Sequence, residues 1–269
     1  MNFSQRFGYV SKDLQRATVS PALKMRIWNI LYKELIYTIQ WPLSNEKVYH
    51  FFEKCWDLIF KRDVSDFRAF DRIVRHIEIS KVYTLLKWNT IFDLIEEVLK
   101  EFSQKNLAEK FNTVLKEEGS AYRIINNQVV EITSEQEIIE IEKVFSQPDK
   151  FTPVKNHLDK GLKYLSNREK PDYENSIKES ISALESLTKI ITGRNETLGI
   201  LIKELKIHSA LKDSISKMYG WASDNGGIRH GSGVNDLKSD ESESRLILVF
   251  ASSLINYIIS KQVENEAAK

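Results

Sequence analysis

One cysteine in 269 residues, Cys55 within FFEKCWDLIF, rules out an intrachain disulfide and a thiolate zinc cage. A reducing compartment, the cytoplasm, is the expected location. Nor is there an excess of charge. The chain has 39 Lys and Arg against 38 Asp and Glu, with 22 against 22 in residues 1–150 and 17 against 16 in residues 151–269. No bulk basic field exists to hold a nucleic acid, so such a contact has to be a local site. The opening MNFSQRFGYVSKD has no apolar signal-peptide core, so secretion is not implied. The most apolar run, Leu246 to Ile259, has 14 residues and contains Ser252, Ser253 and Asn256. A bilayer span takes about 20, so the run reads as a buried helix and no membrane partner is expected.

Signatures of known chemistries are equally scarce. No GxxxxGK[ST] phosphate loop occurs, and no GxGxxG follows a strand, which argues against a nucleotide-binding α/β core. The five histidines (His50, His76, His157, His208, His230) include no pair at four-residue spacing, so a HExxH metal helix is absent. No metal or other cofactor is expected. A GxSxG elbow is missing too, and Cys55 reads as a small buried apolar residue.

What is present is 42% hydrophobic and 10% aromatic residues, enough for real cores, with apolar positions recurring every three and four residues. The fold class is mainly α. Ser20 is read as an N-cap and Pro21 as the first helical residue of SPALKMRIWNILYKELIYTI. Further helices are expected over about 45–61, 66–78, 81–102 and 104–118. The exception is AYRIINNQVVEITSEQE, where Asn126-Asn127 between two apolar alternations predicts one short β-hairpin. Ser134 with Glu137 then has capping-box spacing. FSQPDKFTPV, with two prolines, sets the expected domain boundary near residue 150. Four helical patterns follow, over about 152–167, 171–193, 196–220 with a break near 207–210, and 239–263, a number and length suited to an antiparallel bundle.

DNGGIRHGSGVND, residues 224–236, holds four of the chain's ten glycines around Arg229-His230. Histidine titrates near neutral pH, and the planar guanidinium matches phosphate oxygens, so the pair suits phosphodiester chemistry. The competing reading is a loop whose His230 hydrogen-bonds to the backbone. Arg75-His76, in DRIVRHIEI, is the same dipeptide within an amphipathic helix. Glu185 lies at the edge of the apolar stripe Ile177, Ile181, Leu184, Thr188 and Ile191. It either pairs with Lys189 four residues on or reaches across to orient Arg229 or His230. In the first half, Arg68, Arg72 and Arg75 make one helical stripe interrupted by acids, read as a solvated face, and the aromatics read as core.

SIKESISALESLTKIITGRNETLGILIKEL, followed by SKMYGWASDNGGIRHG and a long apolar helix, resembles the C-terminal HEPN domain of AbiJ-type abortive-infection proteins. FSQRFGY, LKMRIWNILY and YRIINNQVVEI resemble the AbiJ N-terminal domain. The resemblance implies an N-terminal helical domain over residues 1–148, with its hairpin near 121–132, and a HEPN-like four- to five-helix bundle over 149–269. It further implies phage defence, a homodimer through that bundle, RNA as a partner, and a phage or host protein as trigger. As a metal-independent endoribonuclease, the chain would use Arg229, His230, Glu185 and Asp224 as catalytic residues, with Arg229 and Asn225 binding RNA. In HEPN ribonucleases four to six residues lie between the Arg and the His, and no arginine here is followed by a histidine with that many residues between them. The alternative is a non-catalytic dimerisation and binding module, acting as sensor or scaffold.

Overall fold

The computed structural model describes residues 14–37, 46–69, 72–102, 105–167, 170–224 and 239–267. Among these residues lie twelve α-helices and one two-stranded sheet, a mainly α fold as the sequence indicates. The chain divides into two compact units, Met1–Thr133 and Ser134–Lys269.

The first unit contains α1 (Pro21–Glu34), α2 (Glu46–Leu58), α3 (Val64–Ala69), α4 (Arg72–Leu85), α5 (Trp88–Glu101) and α6 (Lys105–Glu117), then β1 (Arg123–Ile125) and β2 (Gln128–Val130). Ser20 caps α1 by accepting from the Leu23 amide, with Pro21 opening the helix. Leu23, Ile27 and Leu31 form its buried stripe and join Phe52, Phe67, Ile95, Val98 and Phe111 in one core. The aromatics Phe51, Phe52 and Trp56 are buried there as expected, while Phe3, Phe7, Tyr9 and Trp41 lie outside the described residues.

Two helix boundaries differ from expectation. The segments expected at 66–78 and 81–102 are instead α3, α4 and α5, with a break at Leu86-Lys87. No glycine or proline marks that break. Lys24 of α1 closes it, donating from Nζ to the carbonyls of Thr84 (2.8 Å) and Leu86 (2.7 Å), so a side chain 60 residues away satisfies the end of α4.

The hairpin turns on Asn126 (φ 47°) and Asn127 (φ 62°), both left-handed, as a two-residue primed turn requires. Arg123 pairs with Val130 and Ile125 with Gln128. Side chains complete the ladder's outer edges. Asn112 of α6 donates to the Ile124 carbonyl (2.8 Å) and accepts from its amide (2.7 Å), and the Glu96 carboxylate accepts from the Val129 amide (2.7 Å). An isolated parallel bridge joins Gln15 to Ser120.

The second unit begins with α7 (Glu135–Phe145), capped by Ser134, which accepts from the Glu137 amide. After a short 3-10 turn come α8 (Thr152–Ser166), α9 (Tyr173–Thr192), α10 (Leu198–Leu201), α11 (Ser209–Asp224) and α12 (Glu241–Ala267). The helix expected over 196–220 is interrupted, as anticipated, between a 3-10 turn ending at Glu204 and Ser209. Helix α9 packs on α8 and α12, and α12 packs on α7 and α8. The α8–α9 contact is close because Gly161 has no side chain. Ser176 Oγ donates to the Gly161 carbonyl (2.8 Å), and Ser180 Oγ to the Ser176 carbonyl (2.8 Å).

Helix α12 is longer than its apolar run suggested. By length and composition alone, Glu241–Val263, with mean hydropathy 1.5, is long and apolar enough to cross a membrane, and half of that window is buried within the unit. Ile247, Leu248, Ala251, Ile255 and Ile258 supply the buried side, an apolar face directed at the bundle's core.

Candidate functional site

The stretch singled out in the sequence joins α11 to α12. Asp224 is the last residue of α11, and its side chain is not among those described. Asn225, Arg229 and His230 lie outside the described residues. On the far side, Asp240 and Glu243 form a reciprocal capping box. Asp240 Oδ1 accepts from the Glu243 amide (2.9 Å), and the Glu243 carboxylate accepts from the Asp240 amide (3.3 Å). The first turn of α12 is therefore held by its own acids, which also suit the positive end of a helix dipole.

Glu185, on α9, sits 2.8 Å from Lys189 Nζ, with the two side chains 22% and 36% exposed. This is the i,i+4 pair, one of the two readings of Glu185, and such pairs contribute about 0.3–0.5 kcal/mol.

A second histidine has a defined partner that the sequence did not reveal. His157 of α8 places Nδ1 2.6 Å from Glu179 Oε2 of α9. A carboxylate only accepts, so Nδ1 is the donor of this hydrogen bond. The pair is half-buried on the flank of the bundle, one turn before Gly161. It does not belong to a metal cage, since no group of three or more His, Cys, Asp or Glu among the described residues could hold an ion. The only sequence signal was the buried stripe Val154, Leu158 and Leu162, which puts His157 at its margin; the 22-residue separation from Glu179 hid the pairing.

A groove of about 680 Å³ runs between α7 and α12, lined by Gln136, Glu137, Glu140 and Lys143 from one helix and by Asn256, Tyr257 and Ser260 among others from the second. Asn256, 3% exposed, donates from Nδ2 to the Glu140 carbonyl (2.9 Å) and carboxylate (2.7 Å).

In the first unit, the expected solvated arginine stripe is corrected at Arg75, whereas Arg68 is exposed as expected. Arg75 is buried, its guanidinium 4.6 Å from the Tyr49 ring centre and 5.1 Å from that of Phe67, with Nε donating to the Phe67 carbonyl (3.2 Å). Arg68 pairs with Glu53 at 2.7 Å, and the Arg72 side chain is not among those described. Aromatic faces attract a desolvated guanidinium, which explains why a cation lies in the core. Burial pushes the Cys55 thiol up to about 12, so Cys55 carries no reactive thiolate at neutral pH.

The family described as AbiJ N-terminal domain 4 matches residues 1–147. Neither a curated protein nor a solved structure matches the chain.

Proposed function

The chain belongs to the AbiJ N-terminal domain 4 family, and from that premise we propose that it is an abortive-infection protein of phage defence. In this reading the C-terminal bundle is a HEPN-like, metal-independent endoribonuclease. The family match over residues 1–147 carries the defence role. The helical bundle of α8, α9, α11 and α12, with the Arg229-His230 segment between its last two helices, supports the ribonuclease.

In the proposed mechanism the 2'-hydroxyl of RNA attacks the adjacent phosphorus. His230 accepts the hydroxyl proton as the bond from the 2'-oxygen to phosphorus forms, and a proton returns to the 5'-oxygen as its bond to phosphorus breaks. Arg229 stabilises the charge that accumulates on the phosphoryl oxygens, Asn225 assists binding, and Asp224 or Glu185 orients the pair. Glu185 would have to leave Lys189 to do so, a small cost for a surface pair. A homodimer through the bundle would bring two copies of the segment together, and a phage or host protein acting on the N-terminal unit would be the trigger.

A non-catalytic binding module is the second reading. It is favoured by the adjacency of Arg229 and His230, in place of the four- to six-residue spacing of HEPN ribonucleases, and by the engagement of Glu185 with Lys189. The readings separate on purified protein given single-stranded RNA and matched DNA in chelator. The ribonuclease cleaves only RNA, chelator has no effect, and Arg229→Ala or His230→Ala abolishes cleavage. Cleavage of DNA, loss of activity in chelator, or two folded variants that retain both cleavage and phage protection would overturn the catalytic assignment.

A further inference from the structure

We propose that the outer flank of α1, together with the end of α4, is the docking face for an acidic amphipathic helix of a partner protein. Besides the core stripe of Leu23, Ile27 and Leu31, α1 carries a second apolar stripe on another side, Met25, Trp28 and Tyr32 at i, i+3 and i+7. Met25 is 54% exposed, and Trp28 and Tyr32 are half-buried. Tyr37, 46% exposed, extends the stripe past the helix end, and Leu85, 72% exposed, borders it from α4.

The two helices are tied together at this place. Tyr83 Oη donates to the Lys24 carbonyl (2.8 Å), and Lys24 Nζ donates to the carbonyls on either side of Leu85, those of Thr84 and Leu86. The rings run on from there. The Trp28 ring centre lies 5.0 Å from that of Tyr83 and 6.4 Å from that of Tyr32, which lies 6.1 Å from that of Tyr37. Aromatic rings edged by methionine and leucine are the composition of a protein interface centre, and a contiguous apolar patch on a surface marks such a contact.

Charge decides what covers it. Helices α1 and α4 have one acid each, and both are engaged, Glu34 with Lys110 (2.8 Å) and Glu78 with Lys81 (2.6 Å). Arg26 is held by Glu117 and Glu118. Lys24 is spent on neutral carbonyls, and Lys33 and Lys87 have no acidic partner among the described residues. An apolar stripe with three cations uncompensated by acids selects a helix whose apolar side is bordered by carboxylates. Half-buried rings lying against the core suit a helix laid across them better than a bilayer, which takes side chains that project into it. The partner takes the place of the trigger in the proposed function, and in that respect the inference rests on that reading.

Panning a displayed library of random peptides of about 15 residues, four turns of helix, against the immobilised full chain tests this. The expected enrichment is for Asp and Glu combined with Leu or Phe at helical spacing. Synthetic copies of the enriched peptides, followed by fluorescence anisotropy, should bind about tenfold more weakly to Met25→Asp and to Leu85→Asp, exposed positions whose melting temperature should not change. Trp28→Ala should weaken them at least as much. Copies with Asn and Gln in place of the acids should lose about tenfold on the wild-type chain, and added salt should weaken the acidic ones.

Enrichment of neutral or basic peptides, no enrichment, equal binding to the two Asp variants, or indifference to salt overturns the assignment. Displacement of the peptides by vesicles of phosphatidylglycerol and phosphatidylcholine overturns it as well, because the face would then meet a lipid surface. Binding is read without RNA or phage, so its failure leaves the ribonuclease reading standing, and a chain that cleaves no RNA can still bind the peptides.

Discussion

Replacing Gly161 by alanine should loosen the second unit, although alanine is the better helix former. The gain in propensity is about 1 kcal/mol. Against it stands the space a methyl would need. A Cβ at residue 161 would meet Ser180 Oγ at 3.1 Å, the Ser176 carbonyl oxygen at 3.2 Å and Leu248 Cδ1 at 3.5 Å. Two of those atoms are already bonded to each other, Ser180 Oγ donating to the Ser176 carbonyl, while Ser176 Oγ donates back to the Gly161 carbonyl. Neither can retreat without breaking a buried hydrogen bond. Overpacking of this kind costs about 1–3 kcal/mol, so the net expectation is a loss of about 1 kcal/mol for alanine and clearly more for Gly161→Val.

Hydrogen exchange read by mass spectrometry on peptides from α8 and α9 is the right assay. The chain has two units, and a single melting curve would mix them. A loss of about 1 kcal/mol appears as roughly fivefold faster exchange in those peptides. Gly220→Ala in α11 is the internal control, since a Cβ there meets nothing within 4 Å. That variant should exchange more slowly, by the propensity gain alone. If Gly161→Ala protects α8 and α9 as Gly220→Ala protects α11, the close approach of the two helices is not what the glycine is for.

The remaining expectations concern the first unit. Burial raises the Glu96 carboxyl above its ordinary 4.5. The native state therefore takes up the proton first as pH falls, and the ionised carboxylate is a burden at neutral pH that is relieved between the raised value and 4.5. Glu96→Gln, which keeps an acceptor for the Val129 amide, should raise the melting temperature of this unit at pH 7 and lose the advantage near pH 4; an advantage that grows on acidification would reverse the argument. Arg75→Lys keeps the charge but loses the flat contact with Tyr49 and Phe67, and should cost about 1–2 kcal/mol in urea unfolding; a neutral result would mean that the guanidinium's stacking contributes nothing. Asn127→Gly should be tolerated, whereas Asn127→Val, forced to a φ of 62°, should cost about 1–2 kcal/mol and speed exchange in the hairpin. Equal behaviour of those two variants would count against the left-handed turn.

Local chemistry was legible wherever a residue acts on its neighbours. Ser20 before Pro21, Ser134 before Glu137, and Asn126-Asn127 between two short apolar strands all do what their types and spacing dictate. Features made by distant partners were not legible. The break between α4 and α5 has no turn residue and depends on Lys24, Arg75 looked like a surface cation until Tyr49 and Phe67 closed on it, and His157 needed Glu179 from the next helix. Amphipathic angle alone put Glu185 at the edge of its stripe and made Lys189 its nearest opposite charge. The reach to Arg229 and His230 depends on a segment outside the described residues.

Where the chain is cut will decide whether its halves can be handled separately. Residue 147, the end of the family match, looks like a natural place for scissors, yet α7 ends only two residues earlier and rests on α12. Severing there would strip Ile138, Ile141 and Val144 of their cover and leave Asn256 facing water, yielding two adhesive fragments in place of two soluble ones. A graft between relatives should exchange residues up to Thr133 and let α7 travel with the bundle it completes.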